Sequence, residues 1–277
     1  MAGNIEDAVA RHYDVADLKD RILKAMTTAG IDTERASPEQ LGPIDEFHVG
    51  GRAATVQAVA KMGLKASDHV LDVGCGIGGA TRYIASTFGC RVTGIDLTPG
   101  YVAAAEELAR RTGLADRIAY RVGSALAMPF ADGAFDAALT LHVAMNVKDR
   151  DGLYREVARV LKPGAVFCVY DVMKGQKDGL KYPVPWAESP ETSHLTTPGE
   201  MLALLGDAGF AVREVEDRTE FALDFFRRGL ANATAGPPPL GLHILMGAGT
   251  REKLRNMLAN IESGAIAPTL MIAQRRP

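Results

Sequence analysis

Apolar residues recur every fourth position at Ile5, Val9 and Tyr13, and again at Leu18, Ile22 and Met26, a spacing that predicts two amphipathic helices at the start of the chain. The pair Gly50 and Gly51 then breaks the chain before a helix from Ala53 to about Met62. From Lys65 onward the texture changes, and short β-rich runs alternate with helical spacing. VLDV at 70–73 precedes a helix over 78–88, RVTGIDL at 91–97 precedes one over 100–111, and RIAYRV covers 117–122. FDAALTL at 135–141 precedes a helix over 149–161, which LysProGly at 162–164 should stop before AVFCVYDV at 165–172. Strands that alternate with helices imply an α/β fold, with a mainly parallel sheet covered on both faces.

Beyond Val172 the pattern loosens. Residues 173–196 are rich in Gly and Pro, and a loop of that length is more often functional than idle. A helix is predicted from Thr197 to Ala208, a strand over FAVREVED at 210–217, and two further helices on either side of a proline loop within 229–250. APTLMIAQ at 267–274 reads as a last strand in the same sheet, with its direction open to reversal. The expected organisation is an N-terminal helical cap over 1–62 and a core over 63–277, with 173–196 and 218–266 as lid insertions.

Composition narrows the partners. With 47% apolar and 23% charged residues over 277 positions, one sizeable core is expected. A formal net charge of −3 supplies no basic field for polyphosphate, so nucleic acid is not an expected partner. Neither the acidic start nor the uncharged run 229–250, interrupted by three prolines, reads as a signal peptide or membrane span, and a cytoplasmic location without membrane contact is expected. Cys75, Cys90 and Cys168 have no metal-ligand spacing, the histidines form no HxxxH pair, and no metal is assigned. A homo-oligomer remains open.

The chemistry concentrates at VLDVGCGIGG, a strand, tight turn and helix start with glycines at 74, 76, 78 and 79. Such a turn lets backbone approach a ligand where a Cβ would collide. Twenty residues after Gly76, Asp96 closes the next strand, where a carboxylate accepts hydrogen bonds from ribose hydroxyls. GxGxxG is satisfied too, so a nicotinamide-dependent oxidoreductase must be weighed. Asp72 separates the readings, because its negative charge would face the pyrophosphate of a dinucleotide and repel it. S-adenosylmethionine carries an ammonium and a sulfonium instead, and a nearby carboxylate favours both.

VLDVGCGIGG, GIDLT with Asp96, ALAMPFADGAFD and EVARVLKPG together resemble the class I S-adenosylmethionine-dependent methyltransferases over roughly Lys65 to Val172. The resemblance implies a doubly wound, Rossmann-like sheet of seven strands with the last antiparallel. It further implies Asp96 on the ribose, Leu97 against the adenine, and Gly74, Cys75 and Gly76 beside the methionine portion. Where many members carry an acid after the third-strand glycine, this chain has Ser124, so the adenine contact is weaker or passes to the backbone of Ala125. The flanking runs HYD, DEFHVGGRAAT, LHVAMN, YPVPWA and GPPPLGLHILMG resemble the branch containing sarcosine and dimethylglycine N-methyltransferases and the phosphoethanolamine type. An amine such as a glycine derivative is therefore the first expected small-molecule acceptor. Oxygen or carbon methylation of a natural product or quinone is the alternative, and a noncatalytic S-adenosylmethionine-binding protein is another.

Methyl transfer is an in-line displacement, so residues that align and exclude water matter most. Residues just past Leu141 face the ligand crevice of a parallel sheet, which nominates His142 as a proton acceptor and Asn146 as a polar contact. PheHisValGlyGlyArg at 47–52 places Phe47, His48 and Arg52 over the methionine or acceptor, with Arg52 a partner for a carboxylate. Tyr13, Trp186 and His243 complete the set, with core or loop packing as the competing account of Tyr13 and Trp186, and a packed or capping imidazole that of His142. Trp186 offers an aromatic face to an alkylated cation. Cys75 reads as a small residue in the turn.

Overall fold

The computed structural model describes residues 5–232 and 236–277. Seven strands make one sheet: β1 (His69–Val73), β2 (Arg91–Asp96), β3 (Ile118–Val122), β4 (Phe135–Leu141), β5 (Leu161–Lys174), β6 (Phe210–Asp217) and β7 (Ile266–Arg275). Their order is β3-β2-β1-β4-β5-β7-β6, and only β7 runs against both its neighbours. The fold is thus the doubly wound, mostly parallel α/β sheet expected from the alternation, with the last strand reversed.

Because side chains alternate across a strand, successive residues enter opposite cores. Val70, Val92, Leu139 and Tyr170 join one buried cluster, while Leu71, Val73, Ile95 and Val169 join the other. That two-sided burial is why the strands read as nearly continuous apolar runs. The covering helices are α5 (Gly79–Phe88), α6 (Pro99–Arg111), α7 (Arg150–Val160) and α8 (Pro198–Asp207).

Four helices precede the sheet: α1 (Ile5–Tyr13), α2 (Leu18–Thr28), α3 (Pro38–Asp45) and α4 (Gly51–Ala60). Leu18, Ile22 and Met26 of α2 bury with Leu41 and Ile44 of α3 against Tyr101, Ala104 and Leu108 of α6. The helix α3 was not expected, because Gly42 and Pro43 interrupt its pattern. A capping box supplies its start: Ser37 accepts from the Gln40 N–H while the Gln40 side chain accepts from the Ser37 N–H. Between β6 and β7 the chain makes α9 (Thr219–Asn232), α10 (His243–Met246) and α11 (Thr250–Glu262).

Two boundaries differ from the sequence reading. LysProGly lies within β5 instead of in a gap before it, since α7 hands over to the strand directly at Leu161 and the β4–β5 register shifts between Phe135 and Ala137. The expected loop from Gly229 is helical as far as Asn232, and its portion 233–235 lies outside the described residues, as do residues 1–4. Among the described residues no helix is long and apolar enough to cross a membrane.

Candidate active site

The carboxyl ends of β1, β2 and β4 open onto a cavity of about 710 Å³, closed from above by α1, the 45–49 segment, the 185–186 segment and α9 to α11. Its floor is the turn after β1. There the N–H groups of Gly74 and Cys75 donate to the Ile95 carbonyl at 2.8 and 3.0 Å, and the Gly76 N–H donates to Asp96 Oδ2 at 2.9 Å. The Thr98 N–H donates to Asp96 Oδ1 at 2.9 Å. Asp96 therefore ties the turn to the start of α6, and its remaining lone pairs face the cavity wall it lines. Not every glycine of the turn serves a ligand. A Cβ at Gly74 would strike the Val143 side chain, and one at Gly79 would lie 2.6 Å from the Asp45 carbonyl, so these two are demanded by protein neighbours. Gly76 is the one whose Cβ would meet nothing nearer than Tyr101 at 4.0 Å.

Asp72 is 2% exposed, and its Oδ2 has no hydrogen-bond partner. Burial above all, with the neighbouring Asp96 and Glu46 charges, pushes its pKa up to about 7. The sequence reading gave Asp72 a fixed negative charge. Here burial opposes that charge, and the carboxyl is held by the Thr81 backbone N–H while Oδ2 has no partner. A buried acid with one unpartnered oxygen, close to a second acid at Asp96, fits the ammonium and sulfonium of S-adenosylmethionine. The Cys75 thiol is pushed well up by burial and by the adjacent acids, so it stays protonated.

On the neighbouring strand His142 follows β4 with φ 55°, a left-handed backbone rare for a non-glycine residue. Its N–H donates to the Tyr170 carbonyl at 2.7 Å, which holds the residue in place, and its Nε2 is buried without a partner. Burial, helped by nearby His48, holds the imidazole well below its ordinary pKa, so it is neutral. The two rings stand 5.8 Å apart. His48 Nε2 lies 3.0 Å from Glu46 Oε2 and 2.9 Å from Thr55 Oγ1, and the Thr55 hydroxyl donates to the same carboxylate at 2.6 Å. Glu46 lines the cavity too, and sequence reasoning had not singled it out. Its carboxylate is held below the usual range despite burial, by the His48 hydrogen bond and charge and by Arg52.

The Tyr13 hydroxyl donates to Asn146 Oδ1 at 2.9 Å, and Asn146 Nδ2 donates to the carbonyls of Trp186 and Thr192, both at 2.9 Å. One amide thus joins α1 to the loop after β5. Trp186 is 1% exposed, and its Nε1 donates to Ser193 Oγ at 2.9 Å.

Of the residues nominated from sequence, Tyr13, Phe47, His48, Asp72, Gly74, Cys75, Gly76, Asp96, Leu97, Ala125, Leu141, His142, Asn146 and Trp186 share this one cavity. Arg52, Ser124 and His243 lie outside its lining. Arg52 has its Nε 2.8 Å from Glu46 and an NH2 group 3.5 Å from Asp45. Ser124 donates to Glu6, a residue of α1 that does line the cavity. His243 opens α10, whose neighbouring residues Leu242, Leu245 and Met246 reach the cavity. Apolar residues of α9 to α11 in the wall escaped notice because on a helical stripe they look like ordinary core. Among the described residues no cluster of His, Cys, Asp or Glu has the arrangement of a metal site.

Residues 71–169 match the family described as a methyltransferase domain. This match gives residues 71–169 a methyltransferase domain, and the sheet around it has the class I, Rossmann-like topology, for which S-adenosylmethionine is the cofactor. Among curated proteins it is similar to Methyltransferase GfsG of Streptomyces halstedii, at 31% identity over 64% of this chain and 64% of that protein. Phosphoethanolamine N-methyltransferase 1 of Arabidopsis thaliana is 32% identical over 65% of this chain and 36% of its own length, so the chain spans about a third of it. The structure of geranyl diphosphate C-methyltransferase from Streptomyces coelicolor A3(2), solved with Mg2+, geranyl-S-thiolodiphosphate and S-adenosyl-L-homocysteine, superposes with TM-score 0.73. Its identity is 20%, with 99% of each chain covered, and it attests to the fold.

Proposed function

We propose that this chain transfers a methyl group from S-adenosylmethionine to a small-molecule acceptor that gives up a proton to His142. The observation that carries this reading is that one cavity is lined both by a buried acid, Asp72, whose Oδ2 has no partner, and by an imidazole, His142, whose Nε2 has none. S-adenosylmethionine supplies an activated methyl on a positively charged sulfur. Asp96 accepts the ribose hydroxyls, Asp72 faces the cationic groups, and Leu97 with Ala125 lies beside the adenine. Tyr13, Phe47 and Trp186 cover the reacting centre and keep water out. Helices α1 to α4 serve as a cap, and 173–196 with 218–266 as lids.

The nature of the acceptor follows from what the cavity offers. A glycine derivative was the first expectation, with Arg52 receiving its carboxylate, but Arg52 lies outside the lining and is engaged by Glu46 and Asp45. An amine attacks with a free lone pair and needs no base at that moment, whereas a hydroxyl or an acidic C–H must lose its proton. An imidazole that lines the cavity with an unpartnered Nε2 is placed to accept that proton, so oxygen or carbon methylation is the reading supported best. Similarity to a phosphoethanolamine N-methyltransferase keeps nitrogen as the second.

Two measurements test this. Calorimetry with S-adenosylmethionine and with NADH should give binding for the first alone, and binding of only the nicotinamide would end the proposal. A panel of phenols, alcohols, quinones and primary to tertiary amines, assayed with methyl-labelled donor, should yield a labelled product. Donor binding with no product from any acceptor class would leave a noncatalytic binding protein instead.

A further inference from the structure

The roof of the cavity is built unlike its floor. The floor carries the acids Asp72 and Asp96, but the faces that α9, α10 and α11 turn inward are made of Phe225, Phe226, Leu245, Met246, Leu254 and Met257. Charged residues on these helices are directed elsewhere. Asp224, Arg227, Arg228, Arg251, Glu252 and Arg255 are exposed. Buried Lys253 is neutralised by Glu188 at 2.6 Å. Two further buried carboxylates of the lining, Asp45 and Glu46, are occupied by Arg82, Arg52, His48 and Thr55.

We propose that the methyl acceptor is an uncharged, hydrocarbon-rich molecule whose body lies in the chamber between α9, α10 and α11, with its nucleophilic atom directed at His142. This rests on the methyltransferase reading above and adds the chemical class of the second substrate. Lys148, in the segment after β4, also lines the cavity, but among the described residues the inward faces of α9 to α11 carry no cation, so a carboxylate or phosphate placed there is left without a partner to replace its water and also faces the acids of the floor. An ammonium finds only carbon and ring faces on these three helices, since Asp72 and Asp96 belong to the cofactor and the lining acids Glu6 and Asp149 already accept from Ser124 and from the Gly152 N–H. Apolar surface entering the same space gains from the removal of water from both sides.

Trp186 is the sole tryptophan and lines this cavity, so its emission reports what enters. The test uses the full chain loaded with S-adenosylhomocysteine, titrated with 4-butylcyclohexanol, 4-butylcyclohexanecarboxylate and 4-butylcyclohexylammonium, and followed by Trp186 fluorescence and calorimetry. The alcohol should bind about tenfold or more tightly than either ion, a difference of roughly 1.4 kcal/mol. Leu254→Lys and Met246→Lys should each narrow or reverse the preference over the carboxylate while binding of S-adenosylhomocysteine stays the same. An ion that binds as tightly as the alcohol overturns the proposal, and so does the absence of binding by all three to protein that holds S-adenosylhomocysteine. Failure to bind S-adenosylhomocysteine would instead overturn the methyltransferase reading beneath it. The wild-type comparison stands without the variants should either fail to fold.

Discussion

Asp72 and Asp96 stand on the neighbouring parallel strands β1 and β2, beside one turn, and the charge of Asp96 is part of what pushes the Asp72 carboxyl up to about 7. The arrangement stores repulsion that a cation relieves, and its consequences are measurable.

Cofactor affinity should rise with pH. If binding requires ionised Asp72, a free-site pKa of about 7 makes the dissociation constant about tenfold weaker at pH 6 than at pH 8. Calorimetry in buffers of different ionisation enthalpy should detect the released proton near pH 6, and Asp72→Asn should abolish both effects. A flat profile in the wild type would remove Asp72 from the cationic end of the ligand.

The free protein should show the opposite slope. A carboxyl whose folded pKa exceeds its unfolded value binds more protons when folded, so its contribution to stability is present below the usual 3.8 and fades as pH rises toward 7. Asp45 and Asp171, each raised to about 6 chiefly by burial, act in the same direction. The Tm of Asp72→Asn relative to wild type should therefore increase between pH 5 and pH 8 in the absence of ligand.

Asp96→Ala should weaken S-adenosylmethionine binding by about tenfold or more, since hydrogen bonds to a charged acceptor contribute roughly 1.5 to 3 kcal/mol. It also frees the N–H groups of Gly76 and Thr98, so thermal stability should fall along with affinity. Unchanged affinity in calorimetry would detach Asp96 from the ribose.

His142→Asn tests the base without disturbing the backbone, because asparagine tolerates the left-handed conformation that φ 55° requires. Turnover should fall by about 10²- to 10⁴-fold, with cofactor affinity changed by less than about twofold. Because burial keeps the imidazole neutral well below its ordinary range, kcat of the wild type at saturating substrates should show no limb near 6.5. Full turnover by the asparagine variant would assign the proton to water.

Arg82→Leu should be among the most destabilising single changes. Arg82 and Asp45 are both fully buried as side chains and pair directly, so removing the guanidinium strands a carboxylate. Breaking such a pair costs about 3 to 5 kcal/mol, readable from denaturant midpoints. The Asp45 carbonyl packs on Gly79 and the chain continues into Glu46, Phe47 and His48, so the loss should also impair the cavity.

The strands and the cofactor floor were legible in the sequence for a physical reason. Two-sided burial writes β1 and β4 as mainly apolar runs, broken by Asp72 in one and by Asp136 and Thr140 in the other, and a turn that needs positive φ at Gly74 and Gly76 writes its glycines next to β1. The helix α3 was hidden because its stability resides in a cap at Ser37 and in burial of Leu41 and Ile44, while Gly42 and Pro43 spoil the pattern between. Arg52 was taken for a ligand contact because a sequence does not reveal that Glu46 sits 2.8 Å from its Nε. Asn146 was nominated as a substrate contact, yet its amide is already bonded to Tyr13, Trp186 and Thr192 over long sequence distances that no local spacing encodes. The apolar wall of α9 to α11 was invisible as a site for a simpler reason: Phe226 facing a hollow and Phe226 facing a core have the same periodicity.

The connection from β6 to β7 joins two strands that lie side by side and run in opposite directions, a junction that a two-residue hairpin would complete. The helices α9 to α11 are therefore an excursion that the pairing of the two strands does not require, one that packs Ala222, Leu223, Phe226, Met257 and Ile261 on the sheet while it turns other apolar side chains to the cavity. Exchanging that single excursion between relatives would be the natural way for one scaffold to acquire a new repertoire of acceptors.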